Sequence, residues 1–306
     1  MVKNNVCRRK IQFESLMTQA SVLWFKANQS GKELAPVFAI YQQAIESAKA
    51  LNSLDALQRS RYLAAQAAHY NDDYDTLEKI AAQVANQASD DQYQLRATYL
   101  LGMFSYEENL LESANEFLGK AHRLAKQLNN QHFLAASDNL LGLIAAKQGH
   151  LEEASRRFES SYQNFVLLGD WRQAVDGLIN RGWSQYRQGK YPLALNNYRQ
   201  ALSLSKASNL GDRTIDATYK IGEVYARSGD TSQANLFLDS ALTLAEAQDK
   251  PVWRGRVLQV KAKLLYDAGT FLLAKVLFED ALKAYAAIDD KVGEINWRYY
   301  LARIQN

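Results

Sequence analysis

Apolar and small residues recur along this chain at helical spacing, three or four apart, in stretches of about fifteen residues separated by short polar or glycine-bearing breaks. The stretches repeat with a period of forty. Small residues stand at Gly102, Gly142, Gly182, Gly222, Ala262 and Ala302, and a second series runs Ala114, Ala154, Ala194, Ala234 and Ala274. A third, Asn109, Gly149, Gly189, Gly229 and Gly269, lies between them, and a fourth places bulky groups at Leu118, Phe158, Tyr198, Leu238 and Phe278. Four series in one register define a repeating unit before any single element is assigned. Each unit reads as a helix, a tight turn, a second helix and a short connection. The predicted architecture is all-α, an α-solenoid of helical hairpins.

The third series accounts for the turn. A helix ends most cheaply on a left-handed residue just past its last turn, where glycine carries no Cβ penalty and asparagine the next smallest. Pro192 and Pro36 fall near the start of second helices, where a missing N–H costs nothing, and Pro251 falls between hairpins. The first series has the opposite sign. Glycine inside a helix costs about 1 kcal/mol relative to alanine, so four forfeit about 4 kcal/mol. A close crossing of the paired helices offsets that loss, with the alanine series at the same crossing and the bulky series filling the space beside it.

In order, a small residue, a glycine, a small residue, a large or aromatic residue and a small residue are met by Gly182, Gly189, Ala194, Tyr198 and Ala201, and by Gly222, Gly229, Ala234, Leu238 and Ala241. This resembles the tetratricopeptide repeat family, and the resemblance covers nearly the whole chain. The family's usual period is about 34 residues. The extra six, about 9 Å of helix, lengthen the helices or the inter-repeat connection. Connections such as Gly169-Asp170, Gly211-Asp212 and Asp289-Asp290 resemble those of long-period members that act as bacterial regulators or signalling adaptors.

The pattern divides the chain into a flexible tail over 1–9 and one solenoid over 10–306. Its seven hairpins run roughly 10–52, 53–92, 93–131, 132–170, 171–211, 212–250 and 251–290. The first carries an Asn-Gln-Ser-Gly-Lys insertion at its turn. Residues 293–306 repeat only a first helix, either a cap or the start of a further repeat or output domain, with Trp297, Tyr299, Tyr300 and Ile304 awaiting a partner. That helix is also a possible homo-oligomer contact.

Composition and charge remove several functions. Net charge is +3, with 36 basic and 33 acidic residues mixed along the length, so no cationic field suits a nucleic-acid backbone. Cys7, the single cysteine, forms no internal disulfide, which fits a reducing cytoplasm. No export signal is read in Met1 to Lys10, and apolar runs such as Leu140 to Ala146 fall far short of the roughly 20 residues that span a bilayer. We expect a soluble, cytoplasmic protein that binds neither nucleic acid nor membrane.

Chemistry is sparse as well. His69, His122, His132 and His150 fall in different units without metal-ligand spacing, and Glu107-Glu108 and Glu152-Glu153 flank turns or helix starts as solvated carboxylates do. Glycines are spread rather than clustered, so no phosphate loop is present. Neither enzyme activity nor a cofactor is expected.

The resemblance implies a right-handed superhelix whose inner groove is lined by the first helices. The inward positions hold Asn139, Asp176, Asn180, Trp183, Tyr186, Tyr219, Lys220, Glu223, Arg256, Gln259, Lys263, Asn296, Tyr299 and Arg303. Amide side chains suit a peptide backbone, and tryptophan and tyrosine bury side chains at little entropic cost. A chaperone-type carboxylate clamp is not met. Asn180 and Lys220 occupy two clamp-like positions, but Asn139 and Leu143 replace required groups and Asp216 has the wrong sign. Lys220, Arg256 and Lys263 remain as a candidate positive patch. The expected function is a non-catalytic scaffold for a protein or extended peptide. The alternative is a sensory module of a larger signalling protein whose output domain lies outside this chain.

Overall fold

The computed structural model describes residues 2–30, 35–87 and 90–286. Among them are fourteen α-helices and no strand. In the first half these are α1 (Val2–Ser30), α2 (Ala35–Leu51), α3 (Leu54–His69), α4 (Tyr74–Gln87), α5 (Asp91–Glu107), α6 (Leu111–Gln127) and α7 (Gln131–Lys147). The second half adds α8 (Leu151–Leu168), α9 (Trp171–Arg187), α10 (Tyr191–Ala207), α11 (Gly211–Ser228), α12 (Thr231–Ala247), α13 (Pro251–Asp267) and α14 (Phe271–Ala286). The chain forms two compact units, Met1–Ile144 and Ala145–Asn306, with the boundary inside α7. Within each, consecutive helices pack side by side, the arrangement of an α-solenoid.

The turns explain the length of the repeat. Positive φ angles occur at Asn109, Asn129, Gly149, Gly169, Gly189, Asn209, Gly229, Asp249 and Gly269, one every twenty residues. Both the turn inside a hairpin and the connection between hairpins are therefore the same motif. At Gly189, with φ +73°, the Gly189 N–H bonds back to the Tyr186 carbonyl at 2.9 Å and the Lys190 N–H to the Gln185 carbonyl at 2.9 Å. This pair of bonds is the Schellman closure, which satisfies carbonyls the helix end would leave unpaired. The forty-residue period is thus two equal halves, each one helix and one turn. The connection expected at Gly211-Asp212 is instead centred on Asn209, φ 53°, and Gly211 opens α11. Asparagine and aspartate hold the left-handed position there because a short polar side chain tolerates it.

The small-residue series meets the bulky one head-on. A Cβ placed on Gly182 would lie 2.7 Å from Cε1 of Tyr198, and one on Gly102 2.6 Å from Cγ of Leu118. The large side chain therefore lies over the bare backbone of the facing helix, not beside the crossing as its position in sequence suggested. Tyr198, Ala194 and Ala201 are buried in one cluster with Val175, Leu178 and Ile221, and Ala274, Phe278 and Ala281 form another with Ala262.

The expected N-terminal tail is helical. No glycine or proline interrupts Val2–Ser30, so the helix propagates as α1 through the exposed residues 5–12 to the buried Phe13, Met17 and Ala20. Cys7 lies on it, exposed. Pro251, expected between hairpins, is the first residue of α13. The residues assigned to the capping or truncated helix, 293–306, lie outside the described residues, as do Gly31 and Lys32 of the expected insertion. No described helix is long and apolar enough to cross a membrane.

Candidate functional site

Helical spacing brings the predicted groove residues of the second unit onto three first helices. Asp176, Asn180, Trp183 and Tyr186 lie on α9, Tyr219, Lys220 and Glu223 on α11, and Arg256, Gln259 and Lys263 on α13. Five of them, Tyr186, Tyr219, Glu223, Gln259 and Lys263, line one open hollow of about 440 Å³. Ala226, Val260 and Leu264 give that hollow an apolar wall, and Arg227 and Asp267 complete its polar lining. Asp176, Asn180, Trp183, Lys220 and Arg256 are not among its lining residues. Asn139 belongs to the other unit, on α7, and Asn296, Tyr299 and Arg303 lie outside the described residues.

The polar groups around the hollow divide into paired and unpaired. Lys220 Nζ sits 2.9 Å from Glu223 and Lys263 Nζ 2.7 Å from Asp267, so two members of the expected positive patch are neutralised in place. Asp176 receives two hydrogen bonds from Arg213, Nε at 3.1 Å and Nη2 at 3.0 Å, a fork geometry that fixes both side chains. Arg187, Arg227 and Arg256 have no carboxylate within ion-pair distance among the described residues. Arg187 lies 5.1 Å from the Trp183 ring centre and Arg256 4.9 Å from that of Trp253. Both guanidiniums are held over an aromatic face with their charge still available.

Tyr219 is buried, with its ring 6.0 Å from Trp253, and burial pushes its phenol well above the ordinary range. It presents a neutral aromatic wall. The Tyr285 hydroxyl donates to Oε1 of Gln259 at 2.5 Å, which leaves the Gln259 NH₂ as a donor on a residue that lines the hollow. Asp216, one turn before Lys220 on α11, has a buried Oδ1 with no hydrogen-bond partner among the described residues. Loss of water raises its carboxyl to about 6, against the opposing pull of Lys220 and Arg256.

Elsewhere the candidate groups are structural pairs. His69 meets Glu107 at 2.6 Å and His122 meets the buried Asp138 at 3.2 Å, each tying neighbouring helices together. Glu152 is paired with Lys190 at 3.0 Å, and that hydrogen bond lowers its pKa. Among the described residues no three His, Cys, Asp or Glu side chains converge as metal ligands would. A larger hollow of about 860 Å³ lies along α1 and α2. Its lining mixes Gln12, Gln42, Gln43 and Glu46 with the aliphatic Leu16, Ile45 and Ile80 but includes no aromatic residue, and its Arg9 is spent on the Ala50 carbonyl at 2.8 Å. The smaller hollow, built by three successive first helices, has the aromatic and polar convergence of a binding site.

Sequence reasoning passed over Arg187, Arg227, Val260, Leu264 and Asp267. A signal was present, because Arg187 and Arg227 are forty residues apart and so occupy the same slot on α9 and α11.

The family model for the tetratricopeptide repeat matches residues 133–207 and 177–247. A comparison with curated proteins finds no match. The solved structure of the apo form of RapI superposes with a TM-score of 0.69 at 13% identity, over 91% of this chain and 99% of that one. A signal-transduction ATPase with numerous domains and a tetratricopeptide repeat sensor, from Pyrococcus horikoshii, gives 0.65 at 13% identity, over 94% of this chain and 42% of that one. NprR, solved in complex with its cognate peptide NprX, gives 0.58 at 15% identity, over 97% and 82%. At such identities the likeness is one of fold.

Proposed function

We propose, taking this chain as a tetratricopeptide repeat protein, that it is a non-catalytic scaffold that captures an extended peptide or protein segment on the first helices of its second unit. The observation that carries the reading is the convergence of Tyr186, Tyr219 and Gln259, from α9, α11 and α13, on one hollow. Aromatic walls supply buried contact area, and a pre-oriented amide donor supplies a main-chain hydrogen bond. NprR, of the same fold, was solved with a peptide bound, which supports a peptide as the class of ligand. The histidines His69 and His122 are paired with carboxylates across helices and Lys220 with Glu223 within α11, and none of these pairs is aligned as nucleophile and base, which favours binding without chemistry. A cytoplasmic setting fits the exposed Cys7 and the absence of an apolar spanning helix among the described residues.

The experiment is affinity capture from a lysate by the full chain, against the variant Tyr186→Ala/Gln259→Ala. Partners retained by the wild type and lost by the variant are expected; equal retention by both overturns the site. A sensory role within a larger signalling protein is the second reading. The fit of 94% of this chain to 42% of the Pyrococcus horikoshii ATPase, which carries a repeat sensor, favours it.

A further inference from the structure

We propose that the hollow of the second unit recognises an acidic–apolar pair. One large apolar side chain enters between Tyr186, Tyr219, Val260 and Leu264, and a carboxylate next to it meets Arg187 and Arg227. This rests on the peptide-binding reading above and names the chemistry of its ligand.

Charge is the first argument. Of the cations on these helices, Lys220, Lys263 and Arg213 are each committed to a carboxylate of the groove, which neutralises Glu223, Asp267 and Asp176 in return. The remaining exposed positive charge near the hollow is that of the arginines. Arg227 is one of its lining residues, and Arg187 follows Tyr186 directly in sequence. Burial raises the Tyr186 phenol and both guanidiniums oppose that rise, so both stand near the Tyr186 side chain. Asp216 is the one acid left over, and its buried oxygen faces a loss of hydration instead of the open groove.

Geometry is the second argument. Arg187 and Arg227 hold equivalent positions in the last turns of α9 and α11, which touch each other directly. Helices in such contact lie roughly 10 Å apart, a span that two arginine side chains close on one carboxylate. Arginine's planar fork fits a carboxylate better than a point-charge cation, and the guanidinium of Arg187 is already held on Trp183, which lowers the entropy lost on binding. The apolar part of the hollow is the third argument: Ala226, Val260 and Leu264 line the same hollow as Tyr186 and Tyr219. Its volume, about 440 Å³, admits one side chain and not a helix.

The test is selection of a random nonapeptide display library on the full chain and on Arg187→Ala/Arg227→Ala, with helicity and melting compared to confirm that the variant folds. Wild type is expected to enrich Asp or Glu immediately beside Phe, Tyr, Trp, Leu or Ile, and the variant to lose the acid while keeping the apolar residue. A resynthesised wild-type winner should bind the variant roughly two- to thirty-fold more weakly, the factor expected for two exposed ion pairs. The affinity should also fall with added salt for the wild type more steeply than for the variant. Matched peptides with a free or an amidated C-terminus, and with Glu→Gln, tell a terminal carboxylate from a side-chain one. Enriched peptides without an acid, or equal affinity for both proteins, overturn the pair while leaving peptide binding in place. No enrichment on wild type overturns both.

Discussion

Gly182→Ala is the sharpest test of the packing. Alanine gains about 1 kcal/mol of helix propensity over glycine, so a sequence-only argument predicts stabilisation. The structure predicts the reverse. The new methyl would lie 2.7, 2.9 and 3.1 Å from Cε1, Cδ1 and Cζ of Tyr198. Ordinary carbon contacts are about 3.5–4.0 Å, so the ring or the helix must retreat by roughly 1 Å. Tyr198 is buried among Ala194, Ala201 and Ile221 and has no free space to rotate into. Overpacking of this kind costs about 1–3 kcal/mol, which leaves a net loss of about 1 kcal/mol. The diagnostic arm is the same substitution in a Tyr198→Ala background. Truncation alone costs about 3–5 kcal/mol, but it removes the obstacle, and Gly182→Ala should then stabilise by about 1 kcal/mol. Urea unfolding followed by circular dichroism at low temperature reads both. Stabilisation in the wild-type background, or the same effect in both, refutes the close crossing.

Three further outcomes follow from other parts of the molecule. Gly189→Ala should cost about 1–2 kcal/mol, purely from its φ of +73°, because nothing lies within 4 Å of the added methyl; Gly189→Asn should cost less, and thermal melts separate them. Asn197→Ala should cost about 1–3 kcal/mol, since it leaves the buried Gln185 Oε1, which Asn197 reaches at 2.6 Å, without its donor; a melt within experimental error of wild type contradicts this. For Asp216 the folded carboxyl titrates near 6 against an ordinary 3.8, so folding favours its protonated form. Its contribution is full below pH 3.8 and is lost as pH rises through about 6. Asp216→Asn should therefore raise stability by about 1–3 kcal/mol at pH 7.5 and by progressively less toward pH 4, a slope that melting across that range resolves.

Most of the fold was legible because its determinants are local and repeated. Gly149, Gly189, Gly229 and Gly269 mark turns by a backbone requirement that any neighbour leaves unchanged. Asn129, Asn209 and Asp249 do the same work in the connections, but through residues that are also ordinary on helix surfaces, so the twenty-residue half-period stayed hidden behind the forty-residue one. The meeting of Gly182 with Tyr198 was half visible: the small and large series stood out, while the way one covers the other depends on helix rotation. The site followed the same rule. Tyr186, Tyr219 and Gln259 were named through the inward positions that the family resemblance implies, combined with helical register. The neutralisation of Lys220 by Glu223 and of Lys263 by Asp267 depends on rotamers, which helical register does not carry. Only the part of α1 before residue 10 was missed, because residues 5–12 are exposed and carry no apolar period.

The central claim is that ligand is held by the first helices of the second unit. A selected peptide carrying a benzophenone in place of its apolar residue, photolysed on the full chain and mapped by mass spectrometry, tests it directly. Cross-links to α9, α11 and α13, and specifically to peptides containing Tyr186, Tyr219 or Leu264, are the predicted result. Cross-links to α10 and α12, or to the hollow along α1 and α2, would contradict it.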